Sequence, residues 1–154
     1  MPLHFAYGSN MSRALMRAHC PRSRPLGIAV LDHHRFIVMA EGYASVVPAP
    51  GQEVHGVLWR LSPRDVAALD AYESLDTGLY RACLLPVRHA GSVTPARVYI
   101  GRSSQQGRSR PGYMECVLAA AHDWNLPRPY IDALAQWAPG SIETPHQPEI
   151  SERR

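Results

Sequence analysis

The spacing of apolar and polar positions changes repeatedly along the chain, and each change marks an element. Leu3-His4-Phe5-Ala6-Tyr7 alternates and carries aromatics, which predicts a strand. Gly8-Ser9-Asn10 interrupts it. Ser12 can then cap a short helix that turns Leu15 and Met16 inward and stops at Cys20-Pro21. Residues 26–31 and 35–40 predict two strands about a turn at Asp32-His33-His34. Residues 43–47 predict another strand, stopped by Pro48 and Pro50-Gly51, and residues 54–61 alternate clearly. Ser62-Pro63-Arg64-Asp65 is a helix start, with Ser62 as N-cap, Pro63 in the first turn and Asp65 completing a capping pair. That helix runs to Tyr72 or Glu73. Residues 80–88 and 94–100 predict an antiparallel pair across His89-Ala90-Gly91-Ser92. Residues 101–112 form a long loop, residues 113–124 a helix, and residues 129–137 a second helix after the break at Leu126-Pro127.

Runs of strands with helices between and after them predict an α+β fold with a largely antiparallel or mixed sheet, not a doubly wound one. The expected domain spans residues 1–138, and the polar, proline-containing residues 139–154 read as a C-terminal tail. A chain of 154 residues buries roughly 68–70% of its unfolded surface, enough for a core without staples. Its 45% hydrophobic and 19% charged residues exclude a disordered chain. No apolar run approaches the roughly 18 residues of a membrane span. The three scattered cysteines, Cys20, Cys83 and Cys116, suit a reducing cytoplasm better than a disulfide framework. All 16 basic residues are arginine and the net charge is +3. The one local cluster, Arg102, Arg108 and Arg110, lies in a Gly/Ser/Gln-rich segment that reads as a solvated mobile loop. Without a basic stripe interleaved with aromatics, no nucleic-acid partner is expected.

Two places hold candidate chemistry. The turn Tyr7-Gly8-Ser9-Asn10 joins a strand to a helix, and its free N–H groups suit a carboxylate or an oxyanion. An ordinary connector with an Asn turn is the alternative. Glu73, at about 100° per residue, falls between Leu69 and Val66 on the apolar stripe of its helix, with Asp70 at the edge. An inward carboxyl at a helix C-terminus is pushed upward in pKa by burial and by the helix end, toward that of a proton shuttle. If the helix stops at Asp70 instead, Glu73 lies in solvent. The eight histidines show no metal-ligand spacing, so no metal is expected. Cys83 and Cys116 sit in apolar stretches, where buried, inert thiols are usual.

Taken in order, these segments resemble the γ-glutamylcyclotransferase family. Phe5-Ala6-Tyr7-Gly8-Ser9-Asn10 is similar to its N-terminal binding loop. Gly42-Tyr43-Ala44-Ser45, Glu53-Val54 and Gly56-Val57-Leu58-Trp59 are similar to its middle strands. Leu69-Asp70-Ala71-Tyr72-Glu73 resembles the segment that ends in its catalytic glutamate. Thr77-Gly78-Leu79-Tyr80 and Arg110-Pro111-Gly112-Tyr113 match two tyrosine-bearing segments, and Leu126-Pro127 with Tyr130 and Leu134 resembles its closing helix. The resemblance implies a small mixed β-barrel with peripheral helices, no cofactor, and an acyltransferase or lyase type of enzyme. It implies Glu73 as the catalytic acid/base, with Tyr7, Gly8, Ser9, Asn10, Tyr80 and Tyr113 binding a small γ-glutamyl substrate. Tyr80 and Tyr113 would wall the pocket and donate from their hydroxyls.

The implied reaction is attack of the substrate's α-amine on its own γ-amide, giving 5-oxoproline and a free amino acid or amine. A non-catalytic module holding a small carboxylate on the same fold is the other reading. Relatives can dimerise, so a homodimer is left open, and residues 101–112 could be a lid. Two departures stand out. Ser74-Leu75 replaces the usual Gly-hydrophobic pair, and Glu41 takes the place of a second glycine before Gly42, which is expected to narrow or charge the pocket. The glutathione-specific relatives lack Asn after Gly-Ser, so intact glutathione is a poor substrate for this loop.

Overall fold

The computed structural model describes residues 2–139; the predicted tail, from residue 140 onward, lies outside the described residues. Five strands close into a barrel in the order β1-β3-β2-β4-β5. They are β1 (Leu3–Ala6), β2 (Arg24–Val38), β3 (Ala44–Arg60), β4 (Tyr80–His89) and β5 (Ser92–Gly101). Four helices surround it: α1 (Arg13–His19), α2 (Pro63–Tyr72), α3 (Tyr113–Asp123) and α4 (Arg128–Ala135). The pairs are antiparallel except at the closing seam, where β1 runs parallel to β5 through one rung, His4 opposite Arg97. This is the expected α+β mixed barrel.

The sequence reading divides two strands that are continuous. Asp32-His33-His34 is not a turn, and Pro48 and Pro50 do not end a strand: β2 and β3 run as one long bulged hairpin. The ladder passes from Asp32 opposite Glu53 to His34 opposite Pro48. His33 is left-handed (φ 61°), and Gly51 across the bulge is too (φ 82°). A bulge takes the residues around Pro50 off the ladder, so the missing proline N–H leaves no gap and the strand bends instead of stopping.

The arginine-bearing loop also differs from expectation. Ala40 N–H donates to Gln105 (2.8 Å), Gly107 N–H to Val38 (2.9 Å) and Arg110 N–H to Gly42 (3.1 Å), fastening residues 105–110 onto the tip of the β2–β3 hairpin. Arg102 pairs with Glu41 at 3.0 Å. Glu41 therefore faces this loop, outside the cavity described below, and neither narrows nor charges it.

The core fills the barrel and the space beneath the helices. Phe5, Leu31, Ile37 and Leu58 are fully buried on strands, and Met16, Leu69 and Met114 anchor α1, α2 and α3. Helix α2 starts as predicted: Ser62 and Asp65 form a reciprocal capping box with Pro63 at the first position. Its buried face carries Leu69, and that sets the direction of the carboxyls that follow.

Candidate active site

An open cavity of about 350 Å³ lies where the end of β1, the end of α2 and the start of α3 converge. Tyr7, Gly8, Ser9, Asn10, Glu73, Tyr80 and Tyr113, from four separate segments, all line it. Tyr43, Ala44, Tyr72 and Tyr99 line it as well. Sequence reasoning named Tyr43 and Ala44 only as part of a strand motif and did not single out Tyr99. The alternation of β5, which buries Ala96 and Val98, does not by itself show that Tyr99 faces a cavity.

The loop after β1 is a tight turn. Met11 N–H donates to Gly8 (3.1 Å) and Ser12 N–H to Ser9 (3.0 Å). Ser12 then caps α1 by accepting from Leu15 N–H at 3.2 Å. Among the described residues, the N–H groups of Gly8 and Asn10 have no acceptor. A Cβ at Gly8 would lie 3.0 Å from the Tyr113 hydroxyl and 3.3 Å from the Ala44 methyl, so the backbone approaches this wall because no side chain intervenes.

Helix α2 ends at Tyr72, and Glu73 is its C-cap, with its N–H on Leu69 at 2.8 Å. The side chain turns into the cavity, not into solvent. Asn10 Nδ2 donates to Glu73 Oε2 at 2.5 Å. Burial pushes the Glu73 carboxyl up to about 7, while the Asn10 amide, which favours the charged form, pulls it down. The next residue, Ser74, is left-handed (φ 56°). That explains why glycine suits the position and why the chain turns out of the helix once the carboxyl is placed.

A polar clamp sits one turn before Glu73. Arg97 Nη2 donates to both oxygens of Asp70 (2.7 and 2.9 Å). The Tyr99 hydroxyl donates to Asp70 Oδ1 (2.6 Å) and accepts from Arg97 Nε (3.1 Å). The Tyr99 carbonyl accepts from the Tyr7 hydroxyl at 2.5 Å. One residue of β5 thus ties the end of α2 to the loop that follows β1.

The two named tyrosines divide their work. The Tyr80 hydroxyl donates to the Ala44 carbonyl, so its proton is committed to the backbone and only its ring is offered to the wall. The Tyr113 hydroxyl accepts from Ala44 N–H at 3.2 Å and is also hydrogen-bonded to Ser9 of the loop. Burial raises both pKa values, that of Tyr113 to about 12, so both stay neutral. Cys116 also departs from the sequence reading: it is exposed and lines the cavity mouth. Cys83 is half-buried. Among the described residues no three His, Cys, Asp or Glu side chains gather as a metal-holding set, and no helix is long and apolar enough to cross a membrane.

The model of the AIG2-like family matches residues 53–134, more than half of the chain and including Glu73. The chain belongs to the AIG2-like family. It is similar to the gamma-glutamylcyclotransferases of Mus musculus and Homo sapiens. The first is 26% identical over 92% of this chain and 81% of its own length; the second is 24% identical over 97% and 86%. A solved structure of a gamma-glutamyl cyclotransferase superposes with a TM-score of 0.83 at 23% identity, covering 97% of this chain and 95% of that one. At that identity the superposition establishes the shared fold.

Proposed function

We propose that the protein is a cyclotransferase that converts γ-glutamyl amides to 5-oxoproline and a free amine, with Glu73 as the acid/base. The observation that carries this reading is a half-buried carboxyl, pushed up to about 7, that faces unpaired loop N–H groups across a cavity of small-substrate size. The names of the similar proteins support the same class of reaction.

The reaction needs little beyond these groups. The substrate's α-nitrogen attacks the γ-carbonyl carbon, a C–N bond forms to close the lactam, and the C–N bond to the leaving amine breaks. Two protons leave the α-ammonium and two arrive on the leaving nitrogen, so charge balances. A carboxyl near neutrality takes a proton readily and returns it readily, which lets Glu73 serve both nitrogens in turn. Holding the substrate folded for attack can supply about 7–11 kcal/mol of the barrier. The Gly8 and Asn10 N–H groups hold the α-carboxylate or the oxyanion, on a loop whose Ser9 is held by the Tyr113 hydroxyl.

The test supplies γ-glutamyl amides to the full chain and measures 5-oxoproline. Glu73→Gln keeps the shape and removes the base, so turnover should fall by a factor of about 10³ or more. Near-native turnover in that variant rules out the assignment. Tight carboxylate binding without turnover of any γ-glutamyl amide would favour a binding module instead.

A further inference from the structure

We infer that the outward face of the β4–β5 hairpin is a surface for a second copy of this chain. Leu84 of one copy seats in the hollow between β2 and the hairpin tip of the other, and the reverse contact forms at the same time. The inference is independent of the cyclotransferase reading above.

Exposure is uneven around the barrel. Among the described residues four large hydrophobic side chains are exposed, and one of them, Tyr72, lines the cavity already described. The other three, Ile28 (49%), Leu84 (72%) and Val93 (65%), share one side of the barrel. Side chains alternate along a strand, so Leu84, Pro86 and Arg88 of β4 point the same way. Their partners across the ladder, Arg97, Pro95 and Val93, share that face. Val30 of β2 pairs with Arg88, which brings Ile28, two residues away, onto it as well. Val87, Ala96 and Val98, on the alternate positions, are buried in the barrel. The outward face is thus a strip of Ile28, Leu84, Pro86, Val93 and Pro95, all exposed. Covering such a strip removes apolar surface from water.

The strip carries both halves of a contact. Leu84 projects from one end. At the other end a hollow of about 280 Å³ opens beside the hairpin tip, lined by Ile28, Val30, Arg88 and Val93. Its walls are fixed: His89 Nδ1 donates to the Ile28 carbonyl at 3.1 Å, and Arg88 is held by Asp32 at 2.6 Å and Glu53 at 3.2 Å. A two-fold axis through the strip turns each copy's Leu84 end onto the other's hollow end, so the two contacts form together. The charges favour a second copy as the occupant. Arg81, exposed at the Leu84 end, bonds the Cys83 thiol and, among the described residues, no carboxylate. The hollow end sets two carboxylates, Asp32 and Glu53, against the single Arg88. The two-fold brings these opposite excesses together at both ends. Strands of ten residues make a face about 30 Å long. Two such faces form a small interface, so the dimer should be weak, with a Kd on the order of 10 µM.

The experiment is sedimentation equilibrium of the full chain from about 1 to 200 µM, over which the mass should rise from one chain toward two. Leu84→Asp and Ile28→Arg each change an exposed side chain outside the cavity at Glu73. Each alone should weaken association by about tenfold or more, with the melting temperature of the dilute protein unchanged. Mixed in equal amounts, the two variants should pair again. The new acid of one then enters the hollow that holds the new base of the other, and the second contact keeps its native Leu84 and Ile28. A single-chain mass for the wild-type protein across the whole range overturns the inference. So does association that Leu84→Asp leaves intact, or a mixture no more associated than either variant alone.

Discussion

The Asn10 amide donates to the Glu73 carboxylate at 2.5 Å and thereby couples the turn after β1 to the end of α2. An N–H aimed at a carboxylate stabilises its charged form and holds its pKa down. With Asn10 present the carboxyl still titrates near 7 because burial outweighs that bond. Asn10→Ala should therefore move the acidic limb of the kcat/KM profile to higher pH and slow turnover several-fold at pH 7. A limb that stays in place, or moves down, would show that the bond does not govern the titration.

The same burial makes Glu73 costly to the fold. Its folded pKa of about 7 exceeds the ordinary 4.5, so the native state binds the proton more tightly than the unfolded chain. Its stability contribution is complete below pH 4.5 and is lost as pH rises through 7. Glu73→Gln should raise stability by about 1–3 kcal/mol at pH 8 and by little near pH 4. Thermal melts at both pH values read this directly, and a variant less stable at pH 8 would contradict it.

Tyr99 links Asp70 to the barrel, and its loss should loosen Glu73 without emptying the cavity. Tyr99→Phe should lower kcat by about tenfold with KM little changed. In a Glu73→Gln background the same change should have no further effect on turnover, because it acts through that carboxyl. Additive losses would mark Tyr99 as merely structural.

Gly8 carries no side chain where the Tyr113 hydroxyl and the Ala44 methyl close in. The Cβ of Gly8→Ala, at 3.0 Å from that hydroxyl, narrows the cradle that receives the substrate. KM should rise by about tenfold, with the melting temperature shifted by only a few degrees. Unchanged KM would place the substrate elsewhere in the cavity.

Local signals carried the parts of this architecture that depend on neighbours in the chain. Ser62, Pro63 and Asp65 mark the start of α2, and counting from there turns Glu73 inward, as found. The loop Tyr7–Asn10 was legible from its glycine and its place between a strand and a helix. The bulged hairpin was not, because Pro48, Pro50 and His33 carry the usual marks of chain reversal, and only the paired strand shows that the ladder resumes. The clamp on Asp70 was equally hidden: Arg97 and Tyr99 lie far along the chain and meet Asp70 only when the barrel closes. Tyr80 reads as a wall residue from sequence, but the destination of its hydroxyl proton depends on where Ala44 is brought.

β1 meets β5 through the single rung between His4 and Arg97, next to the clamp and along the edge of the cavity. A seam of one rung separates at lower cost than a full ladder. The barrel has a second such seam, Val30 opposite Arg88 between β2 and β4, so its closure beside the acid rests on side-chain packing and the Asp70 clamp more than on strand pairing.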